Sequence, residues 1–108
     1  MVKHLVLWKL KPEAHGRSAT ENARAIKEKL EGLRGRVPGM LRIEVGIDFG
    51  RTDNSSDLAL YSEFESRAAL EAYQAHPEHK AIMPFILEAR SERRLCDFET
   101  EEEVRMRV

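Results

Sequence analysis

Apolar and polar side chains alternate with a period of two along four stretches of the chain, which predicts four β-strands. The first stretch, Val2–Leu10, is dense in valine and leucine and carries apolar residues on both of its faces. The other strands are predicted over 41–48, 57–64 and 94–100. A strand that is apolar on both faces needs cover on both sides, and in a small domain a partner subunit can supply the second cover.

Helical patterns occupy the segments between these strands. The first predicted helix begins at Ser18, whose spacing to Glu21 matches a capping box, and it runs to about Leu33. After the third strand, Pro77 divides a second helical region in two, because proline disfavours helical geometry at the residue before it. The later part, over 78–91, is predicted to kink or to break early at a second proline, Pro84.

The order strand, helix, strand, strand, broken helix, strand predicts an α+β fold of the ferredoxin-like, split βαβ type, with helices on one face of an antiparallel sheet. The opposite, open face of the sheet is predicted to carry Val2, His4, Val6, Trp8, Leu58, Leu60 and Cys96. Monomers rarely expose an apolar patch of that size, so a symmetric homodimer formed through this face is predicted. We expect a charge there, as in Val6→Asp, to abolish association or folding.

The composition narrows the class of protein. The chain has 108 residues, enough for one domain, and its 18 basic and 19 acidic residues leave a net charge of -1. Because the basic and acidic residues are nearly equal in number, the charge favours neither nucleic acid nor an anionic membrane as a partner. The single cysteine, Cys96, excludes an internal disulfide and is predicted to be a small buried hydrophobe. We predict a soluble, cytoplasmic protein with one domain over residues 1–100 and a charged tail over 101–108.

The stretch that ends the first part of the broken helix contains a phenol and two imidazoles, from Tyr73, His76 and His79. If Pro77 is the first residue of the next helix, His79 lies in its first turn, where the positive helix end disfavours imidazolium. A neutral His79 suits a general base. His76 is predicted to bond local backbone, and His4, on an apolar strand face, must find a polar partner.

Several sequence segments together resemble the stress-responsive dimeric α/β barrel (Dabb) family. The resemblance extends over about residues 2–100, and its most specific element is His-Pro-x-His after a tyrosine, combined with the histidine of the first strand. The segments that carry it are 2–11, 37–40, 57–60, 64–65, 73–79 and 97–98. The resemblance implies a ferredoxin-like protomer whose sheet pairs with that of a second copy to form a barrel, with a pocket between sheet and helices.

The resemblance also implies site residues. A plant polyketide cyclase of the family closes a linear polyketide by aldol condensation without a cofactor, and its catalytic tyrosine and histidine match Tyr73 and His79. A pocket histidine of that enzyme matches His4. Another falls on Leu58, and helix-one aromatic positions fall on Lys27 and Leu30. The expected ligand-binding residues are His4, Val6, Trp8, Leu30, Leu58 and Leu60.

Three functions follow from this interpretation. The first is a homodimeric barrel with a small-molecule pocket, either a cofactor-free enzyme of the lyase or cyclase type or a binder of aromatic or polyketide-like metabolites. The second is a non-catalytic, stress-related structural protein. The third, a haem- or quinol-dependent monooxygenase, rests on shared architecture alone. We predict no cofactor and no metal, because the paired histidines beside Pro77 have no third ligand at a suitable spacing.

Overall fold

The computed structural model describes residues 1–100 of the chain, so the predicted charged tail over 101–108 lies outside the described residues. In chain order the elements are β1 (Val2–Leu10), β2 (Glu13–Ala14), β3 (Arg17–Ser18), α1 (Ala19–Glu31), β4 (Met40–Ile47), β5 (Leu58–Phe64), α2 (Arg67–Ala75), α3 (Pro77–Ala89) and β6 (Arg90–Glu99). The four long strands form one antiparallel sheet in the order β4-β5-β1-β6. The α+β, ferredoxin-like fold class is therefore confirmed. No helix among residues 1–100 is long and apolar enough to cross a membrane.

The helix boundaries follow local capping chemistry. The Ser18 hydroxyl accepts a hydrogen bond from the Glu21 backbone N–H at 3.2 Å, and the Glu21 carboxylate accepts one from the Ser18 N–H at 3.1 Å, so the capping box is confirmed. His76 separates α2 from α3, and its Nδ1 accepts a hydrogen bond from the Glu78 N–H at 3.1 Å. His76 therefore bonds local backbone, as predicted, and Pro77 is the first residue of α3.

The predicted helix over 78–91 is found as α3, but the early break at Pro84 does not occur and the start predicted for β6 is wrong. α3 continues past Pro84 to Ala89, although proline removes one backbone donor, and a kink at Pro84 stays a prediction. Side chains on both sides of this proline pack on the core, Met83 before it and the buried Ile86 after it, and this packing holds the helix together. β6 begins at Arg90 rather than at residue 94, because the chain passes directly from the end of α3 into pairing with β1.

The side chains that were predicted to lie on the open face of the sheet lie instead on the face that the helices cover. Val6 and Trp8 of β1 are 1% and 3% exposed beneath the helices, and Leu60 and Leu58 lie directly across from them on β5. Both faces of β1 are apolar in sequence, so periodicity did not distinguish them. The residues wrongly predicted on the open face are Val2, His4, Val6, Trp8, Leu58 and Leu60. A charge at Val6 would disrupt the core and would not report on association.

The open face carries the other set of alternating side chains. Its apolar residues are Leu5, Leu7, Ala59, Tyr61, Cys96 and Phe98. Leu5 lies between Tyr61 and Cys96 in the strand register, and Leu7 and Phe98 are each 44% exposed. Cys96 does lie on the open face as predicted, but it is exposed in the protomer and is not a buried hydrophobe.

Side chains of α1 cover the exposed edge of β4. Glu31 accepts a hydrogen bond from the Val45 N–H at 3.0 Å, and Lys27 donates both to Glu31 and to the Val45 carbonyl. Arg34 donates to the Ile43 carbonyl at 2.8 Å. These bonds satisfy backbone groups that an edge strand otherwise leaves open for pairing. They also hold α1 over the sheet, and Lys27 is engaged at this edge.

Gly39 sets the position of α2 at the start of β4. It has a φ of +81°, a conformation that side chains with a Cβ rarely adopt, and its carbonyl accepts a hydrogen bond from the Glu65 N–H at 2.9 Å. A Cβ at Gly39 would lie 2.7 Å from the Cβ of Ala69 in α2. Because α2 also carries Tyr73, this turn helps to place that side chain.

We predict that Gly39→Ala destabilises the protein more than Gly35→Ala. Both glycines have a positive φ, but a Cβ at Gly35 meets nothing within 4 Å. Gly35→Ala should therefore cost only the backbone strain, about 1–2 kcal/mol. Gly39→Ala should cost about 1–3 kcal/mol more from overpacking against Ala69. Urea unfolding of both variants measures this difference, and equal losses would contradict the close packing of α2 on the turn.

Candidate functional site

A cavity of about 250 Å³ lies between the helices and the helix-facing side of the sheet. It is lined by His4, Val6, Trp8, Leu30, Leu60, Tyr73, Gln74, His79, Met83, Ile86, Leu87, Arg90 and Arg93. The structure thus brings together every site residue predicted from the sequence except Leu58, which is buried in the core and does not line this cavity. Roles in binding or catalysis stay predictions for all of them.

Tyr73 and His79 are in direct contact. α2 supplies the tyrosine and the first turn of α3 supplies the histidine, because the break at His76 and Pro77 brings the two helices together at this point. The ring centroids are 4.4 Å apart and the ring planes are tilted by 54°. Tyr73 is fully buried, and burial raises the pKa of its phenol well above the usual range. At neutral pH the hydroxyl is therefore a hydrogen-bond donor and not a phenolate.

The surroundings of His79 favour the neutral imidazole. Burial lowers the pKa of His79 below its ordinary value of 6.5, and contact with the backbone of Gln74 acts in the opposite direction. The positive charge of the Arg93 guanidinium lowers the pKa of His79 further, and a proton on the neighbouring His4 or His76 would act in the same direction. The position in the first turn of α3 acts in the same sense, because the positive end of a helix disfavours a cation.

The buried His4 pairs with Asp97, whose own side chain is 32% exposed. The imidazole Nδ1 is hydrogen-bonded to the Asp97 carboxylate, and the two residues lie directly opposite each other on β1 and β6. His4 is 3% exposed, so this carboxylate is the polar partner that a histidine on an apolar face needs. A carboxylate at Nδ1 fixes the tautomer with the proton on that atom and leaves Nε2 as the acceptor. The His4 ring lies 6.3 Å from the Tyr73 ring, edge to face.

Asp97, Arg90 and Arg93 were not predicted as site residues. Asp97 belongs to the Asp-Phe pair that contributed to the family resemblance, and Arg93 lies opposite Trp8 in the register of β6. These residues could have been placed at the cavity only by knowing which residues of β6 pair with which residues of β1. The alternation of side chains within β6 alone does not reveal that pairing. Among residues 1–100 no three His, Cys, Asp or Glu side chains converge as a metal site requires.

Unpartnered polar atoms are concentrated at this cavity. Four buried side-chain atoms among residues 1–100 have no hydrogen-bond partner in the protein. Three of them, the indole N–H of Trp8, the hydroxyl of Tyr73 and Nδ1 of His79, belong to residues that line the cavity. The fourth is the side-chain oxygen of Asn22. Each such group costs about 1–3 kcal/mol when it stays unsatisfied, so these atoms lower stability unless another molecule, such as water, bonds to them.

The fold and the cavity define a class of protein, a small ferredoxin-like protomer with a pocket between its helices and its sheet. Residues 2–100 match the family model described as "Stress responsive A/B Barrel Domain" (Dabb), and the chain belongs to this family. The match confirms the resemblance seen in the sequence. No functionally curated protein matches the chain.

Several solved structures are similar to this chain. A dimeric protein of unknown function with a ferredoxin-like fold from Bacteroides fragilis is 31% identical, with a TM-score of 0.81 over 92% of this chain and 95% of that one. A dimeric ferredoxin-like protein of unknown function from Thermobifida fusca is 20% identical, with a TM-score of 0.79 over 92% and 90% of the two chains. A hydroxynitrile lyase from Passiflora edulis is 18% identical, with a TM-score of 0.77 over 96% of each chain. The last two similarities show the fold alone.

We predict that the imidazole of His79 titrates with a midpoint below 6.5, as measured by the pH dependence of its NMR chemical shifts. Because the folded protein disfavours the charged form, the unfolded chain binds more protons as the pH falls below 6.5. Stability should therefore decline on the acid side of 6.5 more steeply in the wild type than in His79→Asn, which cannot titrate. A midpoint at or above 6.5 would contradict the desolvation of this ring.

Proposed function

We propose that this chain forms a homodimeric barrel whose pocket binds a small aromatic or polyketide-like metabolite, and that His79 and Tyr73 catalyse a cofactor-free reaction of the lyase or cyclase type on it. The observation that carries the proposal is the concentration of unpartnered polar atoms at one apolar cavity. A pocket with a few convergent polar groups and perturbed pKa values is the usual form of a small-molecule site.

The arrangement supports a division of roles between the two side chains. A neutral His79 takes the acidic proton next to a substrate carbonyl, and the C–H electron pair moves into the carbonyl to form an enolate. The Tyr73 hydroxyl is buried and has no hydrogen-bond partner among residues 1–100, so a substrate that reaches it from the cavity would accept its hydrogen bond at the enolate oxygen. The enolate carbon then attacks a second carbonyl, or a leaving group departs, and His79 returns the proton. Proton transfer by a positioned side chain typically contributes about 10²–10⁴-fold.

His4 suits a supporting role on the opposite wall of the pocket. Asp97 holds its ring in one orientation, and the edge-to-face contact with Tyr73 places the two rings in one aromatic cluster with Phe64. A ring that is fixed in this way presents a defined acceptor to a ligand hydroxyl. The non-catalytic alternative predicts no such acceptor and no unpartnered polar groups around a cavity.

The homodimer is proposed from the open face of the sheet. Leu7 and Phe98 expose apolar surface there, and a second copy of the same sheet would cover it through a two-fold axis. Tyr61 lies on the same face with Lys3 and Arg42 near its ring, at 6.0 and 5.8 Å. The similar proteins from Bacteroides fragilis and Thermobifida fusca are described as dimeric, which supports this assembly.

We predict that Tyr73→Phe separates a functional role of this residue from a structural one. The hydroxyl has no partner among residues 1–100, so its removal should raise the free energy of unfolding, by about 1 kcal/mol. The same change should weaken binding in ligand-observed NMR against a panel of single-ring aromatic and polyketide-like acids. His79→Ala should weaken binding as well.

The matched control is the other tyrosine of the chain. Tyr61→Phe removes a hydroxyl that donates to Glu63 on the open face, so it should not raise stability and should leave binding unchanged. Loss of stability in Tyr73→Phe, with no ligand bound by the wild type, would favour the non-catalytic structural function.

We predict that Leu7→Asp converts the dimer to a folded monomer. Leu7 is 44% exposed in the protomer, so a carboxylate there is tolerated by the fold but would be desolvated in a sheet-to-sheet interface. Sedimentation equilibrium measures the mass, and circular dichroism checks the fold. Leu87→Asp, at a 54% exposed position on α3, is the control that should remain dimeric. A monomeric wild type would overturn the proposed assembly.

A further inference from the structure

Two arginines line the cavity without an ionic partner. Arg90 and Arg93 lie where α3 ends and β6 begins, and neither is within ion-pair distance of a carboxylate among residues 1–100. Arg24 and Arg94 also lack an ion pair among these residues, so what distinguishes Arg90 and Arg93 is their place at the cavity, Arg90 half-buried and Arg93 exposed at its rim. Neither guanidinium group makes a side-chain hydrogen bond within the described residues.

The charge of the cavity differs from that of the whole chain. The protein has a net charge of -1, yet the lining includes two arginines and no aspartate or glutamate. Asp97, the nearest carboxylate on the same face of β6, is engaged by His4. Arg93 is close enough to His79 for its charge to act on that imidazole. The cavity is therefore an electropositive site in a nearly neutral protein, and such a site attracts an anion.

The size of the cavity limits the ligand. An apolar cavity of about 150 Å³ accommodates benzene. The volume here, about 250 Å³, adds room for a few substituent atoms on a single ring. The apolar lining from Val6, Leu60 and Ile86 suits the ring itself. A guanidinium group suits a carboxylate, because its planar donors match the two oxygens.

From these observations we infer that the pocket selects a carboxylate-bearing, single-ring ligand, and that Arg90 and Arg93 bind the carboxylate while the ring enters the apolar cavity toward Tyr73 and His79. The inference rests on the proposed function, since it requires that the cavity binds a small molecule. Beyond that function, we infer that the ligand is an anion and that two arginines at the α3–β6 junction select it. The inference also orients the ligand, with the carboxylate at the arginines and the remaining substituents at the phenol and the imidazole.

The test compares benzoate with benzamide, which has the same ring and nearly the same shape but no charge. Isothermal titration calorimetry measures both ligands against the wild type, Arg90→Gln, Arg93→Gln and Arg24→Gln. Arg24 is exposed on α1 and does not line the cavity, so its variant controls for the loss of one positive charge. Benzamide binding verifies that each variant keeps an intact pocket.

We expect the wild type and Arg24→Gln to bind benzoate at least tenfold more tightly than benzamide. Arg90→Gln and Arg93→Gln should each weaken benzoate binding about tenfold, which corresponds to about 1.4 kcal/mol, and should leave benzamide binding unchanged. Equal binding of the two ligands, or equal loss in Arg24→Gln, would overturn the carboxylate assignment and leave the small-molecule pocket standing. Binding of neither ligand by the wild type would overturn both.

Discussion

Strand β1 is hydrogen-bonded along both of its edges, to β5 and to β6, and this double pairing determines which of its side chains face the helices. Every second residue of β1, from Val2 to Leu10, is buried beneath the helical layer. The same alternation that builds the core places His4, Val6 and Trp8 at the cavity. Core and pocket therefore share one strand face, and the intervening residues of β1 supply the open face that we propose for dimerisation.

The cavity keeps buried polar groups at a cost in stability. Small domains are only marginally stable. The cost of one unsatisfied buried polar group is therefore a substantial fraction of the free energy of unfolding. Within residues 1–100, the hydroxyl of Tyr73 and Nδ1 of His79 nevertheless have no hydrogen-bond partner, in side chains that contact each other beside one cavity. Backbone features elsewhere compensate, including the capping box of α1 and the side-chain cover of β4. Polar groups without partners in an otherwise regular scaffold mark the place where local rules of stability are broken, which is why the proposed function is assigned to this cavity.

Much of the fold could be predicted because its signals are local. The capping box at Ser18, the start of α3 at Pro77 and the period of two in the strands depend on residues within a few positions of one another. The proximity of Tyr73 and His79 could be predicted for a related reason, since both lie at one helix junction, while their role in a site stays a prediction. Of the two outcomes predicted at Pro84, the early break does not occur, because the local penalty is opposed by packing of Met83 and Ile86 against distant parts of the chain.

The sequence by itself determined the elements, their order, the fold class and the pairing of a phenol with an imidazole at the α2–α3 break. Only the tertiary structure decided which face of β1 turns inward, because both faces are apolar and periodicity is blind to that choice. It also decided that Asp97 meets His4, which lies 93 positions away, and that Arg90 and Arg93 join the same cavity. These contacts depend on the register between β1 and β6. Register is a property of two strands together, and no stretch of one strand encodes it.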